Sequence, residues 1–120
     1  MRITIPPLHG VAVQDERQLD GSRHLTVDLA DPLGAWACSL QGVLDRGGAL
    51  HEAELELETP DGPWSGALAA VERVSGEPPL RLLAIFEDAG FHIRLDLQES
   101  DDGGGFLARL EPRDDAPGDG

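Results

Sequence analysis

Phe91-His92-Ile93-Arg94-Leu95-Asp96-Leu97-Gln98 is the stretch on which the fold turns. Phe91, Ile93, Leu95 and Leu97 alternate with His92, Arg94, Asp96 and Gln98. A helix would scatter these four apolar residues around its circumference, whereas a strand places all of them on one face. Residues 23–29 behave in the same way, with Leu25, Val27 and Leu29 against His24, Thr26 and Asp28. In residues 52–58, Ala53, Leu55 and Leu57 alternate with Glu52, Glu54, Glu56 and Glu58. Ala, Leu and Glu are good helix formers, so propensity argues for a helix over residues 49–58. The alternation and the breakers on either side, Gly47-Gly48 and Pro60, argue for a strand. The same tension runs through residues 64–74, where Ala67, Leu68, Ala69 and Ala70 are weak strand formers. Both segments are assigned as strands.

Turn chemistry punctuates the chain at short intervals, as in Asp20-Gly21, Asp31-Pro32-Leu33-Gly34, Asp45-Arg46-Gly47-Gly48, Thr59-Pro60-Asp61-Gly62 and Gly103-Gly104-Gly105. Gly supplies positive φ, Pro presets φ and Asp closes side-chain turns, so each cluster has a means of reversing the chain. Strands are expected at residues 3–5, 11–17, 23–29, 35–43, 50–59, 64–74, 80–87, 91–98 and 106–111. Short connections force antiparallel neighbours, because parallel strands need long crossovers. The expected fold is therefore an all-β, antiparallel meander of about eight strands. With one face apolar it must close into a barrel or fold into a sandwich. Residues 1–111 form the expected domain. Residues 112–120, rich in Pro, Gly and Asp, read as a disordered acidic tail.

The chain has 120 residues, with 9 Lys+Arg against 23 Asp+Glu and a net charge of −14. A nucleic-acid binder must neutralise phosphates with a basic patch, so that class is excluded. All the basic residues are Arg, and Lys, Asn and Tyr are absent, which reads as the codon bias of a GC-rich bacterial genome. The N-terminus lacks an apolar h-region, and the longest apolar run, Leu82–Phe86, is far short of the roughly 20 residues a membrane-spanning helix needs. A cytoplasmic protein with no membrane partner is expected. Cys38 is the lone cysteine, which excludes an intrachain disulfide and a multi-Cys zinc site. It shares a face with Trp36 and Leu40 and reads as a small hydrophobe.

Among residues that could carry chemistry, the row Glu52, Glu54, Glu56 and Glu58 stands out. Residues two apart on a strand lie roughly 6.5–7 Å apart on one face. Such a row can hold a divalent cation, face a basic protein partner, or be a solvated outer face neutralised by Arg on adjacent strands. The rhythm is similar to the ExExK motif of the triphosphate tunnel family but lacks its terminal Lys, and no activity is carried over. The run 42–48 followed by 54–59 and 82–86 is loosely similar to the second half of the PilZ barrel. The paired-arginine and DxSxxG motifs that hold that family's cyclic dinucleotide are absent, so the resemblance implies a barrel and no such ligand. His9, His24, His51 and His92 show no ligand spacing, and no metal or other cofactor is expected. No GxSxG elbow, phosphate loop or calcium loop is present.

The expected function is a non-catalytic binding module whose acidic row, Glu52 to Glu58, engages a basic protein partner. The alternative is a calycin-like barrel holding a small apolar ligand, with Trp36 and Trp64 as ligand contacts or end-plugs. Leu83 and Ile85 make the outer face of their strand apolar, which points to a homodimer interface or to cover by an N-terminal segment within residues 5–13.

Overall fold

The segment in which propensity and alternation disagree, Leu50–Thr59, is a strand throughout. Burial decides it: Leu55 is completely buried and Leu57 nearly so, while the glutamates between them are exposed. The computed structural model describes residues 5–47, 49–75, 79–88, 91–101 and 105–113, without the side chain of Arg113. Eight strands form: β1 (Leu8–Arg17), β2 (Arg23–Ala30), β3 (Ala37–Leu44), β4 (Leu50–Thr59), β5 (Gly62–Ser75), β6 (Arg81–Asp88), β7 (Phe91–Glu99) and β8 (Phe106–Arg113). Each pairs antiparallel with the next and β8 pairs back to β1, closing the barrel. Of the expected short strand at residues 3–5, residues 3 and 4 lie outside the described residues, and Ile5 belongs to no strand. At the other end β8 runs two residues beyond the expected domain boundary, with Pro112 opposite Ile93 and Arg113 opposite His92. The rest of the expected tail, residues 114–120, lies outside the described residues.

The inner face is built from the apolar alternates. Leu29, Cys38, Leu57 and Trp64 form one row across β2–β5, and Val27, Leu40, Leu55 and Gly66 the next. Phe86, Ile93, Leu95 and Leu97 from β6 and β7 are buried to 1% exposure or less. An eight-stranded barrel is just wide enough for its interior to be filled by such side chains. Apolar inside and charged outside is the reverse of a membrane-spanning barrel. No described helix is long and apolar enough to cross a membrane.

Closure needs strands that bend, and bulges supply the bends. The register shifts leave one extra residue at Val13 in β1, and one each at Ala69 and Glu72 in β5. A further shift between Gln41 and Val43 sets two residues of β4, Glu52 and Ala53, against Gly42. Glu52 takes up this bulge with a φ of 51°, a left-handed conformation uncommon for a residue with a side chain.

The closing seam is short: Leu8, His9 and Gly10 pair with Ala108, Leu107 and Phe106. Pro6 and Pro7 precede it and have no N–H to offer β8, so the seam cannot extend in that direction. Gly10 is the tightest point. A Cβ there would stand 1.8 Å from the Asp28 carbonyl oxygen and 2.7 Å from the Leu29 Cα, both backbone atoms of β2. Gly10→Ala should therefore cost about 1–3 kcal/mol or more, the range for overpacking against a surrounding that cannot yield. Gly34→Ala, at φ 76° with nothing within 4 Å, should cost only the backbone term of about 1–2 kcal/mol. Urea unfolding of the two variants checks the order.

Candidate functional site

The two ends of the barrel differ. At one end Leu25, Leu40, Leu44, Leu50, Leu80, Leu82 and Leu97 meet and leave a void of about 10 Å³. At the other end a cavity of about 270 Å³ opens between Ile5, Trp36, Leu57, the turn from Thr59 to Pro63, Trp64, Phe91, Ile93 and Pro112. At ~30 Å³ per molecule this is space for about nine waters, small even for a ligand site.

Local structure fixes each wall of this mouth. Trp36 enters from the β2–β3 turn, where Asp31 N–H donates to the Trp36 carbonyl at 3.0 Å and Trp36 N–H donates to Asp31 Oδ1 at 3.3 Å. Asp31 is the one buried charged residue among those described, at 8% exposure, and its burial is tied to this turn. The β4–β5 turn is a two-residue hairpin, Pro60-Asp61, flanked by the pair Thr59 and Gly62. Thr59 Oγ1 donates to the Gly62 carbonyl at 2.8 Å and accepts from Asp61 N–H at 3.0 Å, while Gly62 supplies the positive φ of 127°. Trp64 follows, pointing inward opposite Leu57, and meets Phe91 edge-to-face with centroids 5.7 Å apart and planes at 77°. Gly66 lies beneath the indole: a Cβ there would stand 2.4 Å from Trp64 Cη2.

Trp36 and Trp64, singled out in the sequence as ligand contacts or end-plugs, thus line one end of the barrel together. A cavity of about 270 Å³ remains between them and their neighbours. The sequence reading missed Phe91, Asp61, Ile5 and Pro112. Phe91 looks like the first residue of an alternating strand, Asp61 like a turn residue, and Pro112 like the start of a tail. The hairpin at Pro60-Asp61 was the one available signal, because it brings Trp64 back beside Leu57.

The glutamates fall differently from the expected row of four. Glu54, Glu56 and Glu58 share the outer face of β4, while Glu52 is turned by its bulge. Their cross-strand neighbours are Gln41, Ser39 and Ala37 on β3 and Ala67, Ser65 and Pro63 on β5. The Arg residues expected to neutralise them are not on these strands' facing positions, and among the described residues none of the four enters an ion pair. Asp28, Glu56 and Glu58 border an open trough of about 720 Å³ on the outer wall, floored by Ala30, Ala37, Ser39 and Ser65. Leu57, Pro63 and Trp64 border both this trough and the mouth.

Leu83 and Ile85 face outward on β6 and are half-buried. Arg94 on β7, opposite Ile85, reaches the bulge residue Glu72 on β5 with Nε to Oε1 at 2.6 Å, so this ion pair spans β6. The N-terminal strand lies elsewhere, between β2 and β8, and does not cover them.

His51 and His92 each face a carboxylate at 2.7 Å, Asp45 and Glu87 respectively. The His51 ring, with the Ala49 and Gly47 amides, holds the Asp45 carboxyl below its usual range. Among the described residues no group of three or more His, Cys, Asp or Glu is placed to hold a metal ion. Burial, followed by the nearby Asp28 carboxylate, pushes the Cys38 thiol up to about 12, so at neutral pH it is an unreactive thiol in the core.

No protein family, curated protein or solved structure matches the chain.

Gly66→Ala tests the geometry of the mouth. The added methyl meets the far edge of a ring that can swing outward, so the barrel should hold with a loss of about 1–3 kcal/mol. The Trp64–Phe91 contact should open, seen as a red shift in tryptophan emission.

Proposed function

We propose that this protein is a non-catalytic, cytoplasmic binding barrel that takes a small apolar ligand in the mouth walled by Trp36, Trp64 and Phe91. The observation that carries the reading is the difference between the two ends. Seven leucines pack one end to a void of about 10 Å³, while the other keeps about 270 Å³ open with an apolar and aromatic lining. Leaving large aromatic groups around open space forgoes dispersion contacts that the leucine end makes in full. A ligand would restore them. Among the described residues the lining brings no nucleophile with an adjacent base, which supports binding over catalysis.

The chain's two tryptophans both line the mouth, so their emission reports on its contents directly. Titration with 1-hexanol should give a saturable change in emission. Phe91→Gln should weaken binding by about fivefold or more, and Val11→Gln, at an exposed apolar position of β1 away from the mouth, should leave it unchanged. A linear response, equal to that of free N-acetyltryptophanamide, would remove this reading.

A second reading, recognition of a basic protein segment along the trough, is favoured by one observation: Asp28, Glu54, Glu56 and Glu58 stand without a cationic partner among the described residues. Reversing Glu54 and Glu56 to Arg should slow association with octa-arginine steeply at low salt and little at high salt. An unchanged salt dependence leaves the row as a solvated face.

A further inference from the structure

Among the described residues the mouth holds one charged group, and it is negative. Asp61 lines the cavity at the tip of the β4–β5 hairpin, and among the described residues no Arg or His lines it. Its backbone N–H is taken by Thr59 Oγ1, and the Thr59 hydroxyl proton goes to the Gly62 carbonyl, so the turn's own hydroxyl has no proton left for the Asp61 carboxylate. No ion pair engages that carboxylate among the described residues.

A ligand entering this mouth covers Asp61 at least in part. A neutral apolar group strips water from a carboxylate and returns nothing, and an anion adds repulsion to that loss. A cation compensates it. The aromatic walls act in the same direction, because the faces of indole and phenyl rings attract cations, tryptophan most strongly. The Trp64–Phe91 arrangement at 77° suits this role: two rings nearly at right angles form a corner, and the ring that supplies its edge keeps both faces clear of the other. Beyond the mouth, the net charge of −14 raises the local concentration of cations around the whole molecule.

We infer that the ligand class of the mouth is an organic cation with an apolar body, such as an alkylated ammonium, its charge held between the aromatic walls and Asp61. This rests on the reading of the mouth as a ligand site and names what that site selects.

Choline and 3,3-dimethylbutan-1-ol have nearly the same shape and differ in charge, so the pair isolates the cationic contribution. Followed by tryptophan emission at fixed ionic strength, choline should bind at least about tenfold more tightly, in the range expected of a desolvated cation–aromatic contact. Asp61→Asn should cut that preference to threefold or less. Glu54→Gln, which removes the same charge from the outer wall, should leave it intact. Equal binding of the two probes overturns the inference while leaving the mouth as an apolar site. Equal losses of preference in Asp61→Asn and Glu54→Gln overturn it too, because they assign the effect to net charge. Failure of both probes and of 1-hexanol removes the ligand site itself, and the inference with it.

Discussion

The structure depends on closure. Eight strands with one apolar face each can bury those faces only if the sheet meets itself, and the meeting is three residue pairs between β1 and β8. Nothing in the pattern of any single strand demands this seam. It forms because β1 approaches β2 closely at Gly10, where a side chain would strike the backbone around Asp28, and because bulges in β1, β4 and β5 add the bend. The extra residues Val13, Ala69 and Glu72, and Glu52 with them, are all exposed, so curvature is gained without disturbing the apolar interior.

Closure leaves two ends to be dealt with, and the chain treats them differently. Leucines converge at one end, and their flexible branched side chains fill the taper almost completely. At the other end the lining includes both tryptophans, a phenylalanine and three prolines. Rigid rings and pyrrolidines anchored by tight turns cannot collapse onto each other in the same way. Trp36 is held by the Asp31 turn and Trp64 by the Thr59–Gly62 hairpin, so the open mouth follows from stiffness at its rim. Among the described residues Asp61 is the one charged residue that lines this rim.

On the outer wall, charge is sorted as well. Among the described residues the Arg side chains in ion pairs lie on β2, β6 and β7: Arg23 grips Asp15 through two 2.8 Å contacts, Arg81 reaches Asp96, and Arg94 reaches across β6 to Glu72. The cross-strand positions beside Glu54, Glu56 and Glu58 hold no Arg; they are Gln41, Ser39 and Ala37 on β3 and Ala67, Ser65 and Pro63 on β5. Exposed ion pairs of this kind contribute little to stability.

Read alone, the sequence determined the strand type of nearly every segment. Side-chain direction in a strand is a local property with period two, and it prevailed over the helix propensity of Ala, Leu and Glu at Leu50–Thr59 because burying Leu55 and Leu57 outweighs a weak backbone preference. Short turns likewise made the antiparallel meander legible. Barrel against sandwich was not legible, since alternation fits both and the β1–β8 seam joins the two ends of the chain. The bulges were hidden for a related reason: an extra residue is defined only against its partner strand, so Glu52 looked like a fourth member of a row that it leaves. The mouth was half visible. Trp36 and Trp64 announced themselves by size, but Phe91, Asp61 and Pro112 are ordinary strand and turn residues until closure brings three hairpins and both ends of the sheet to one rim.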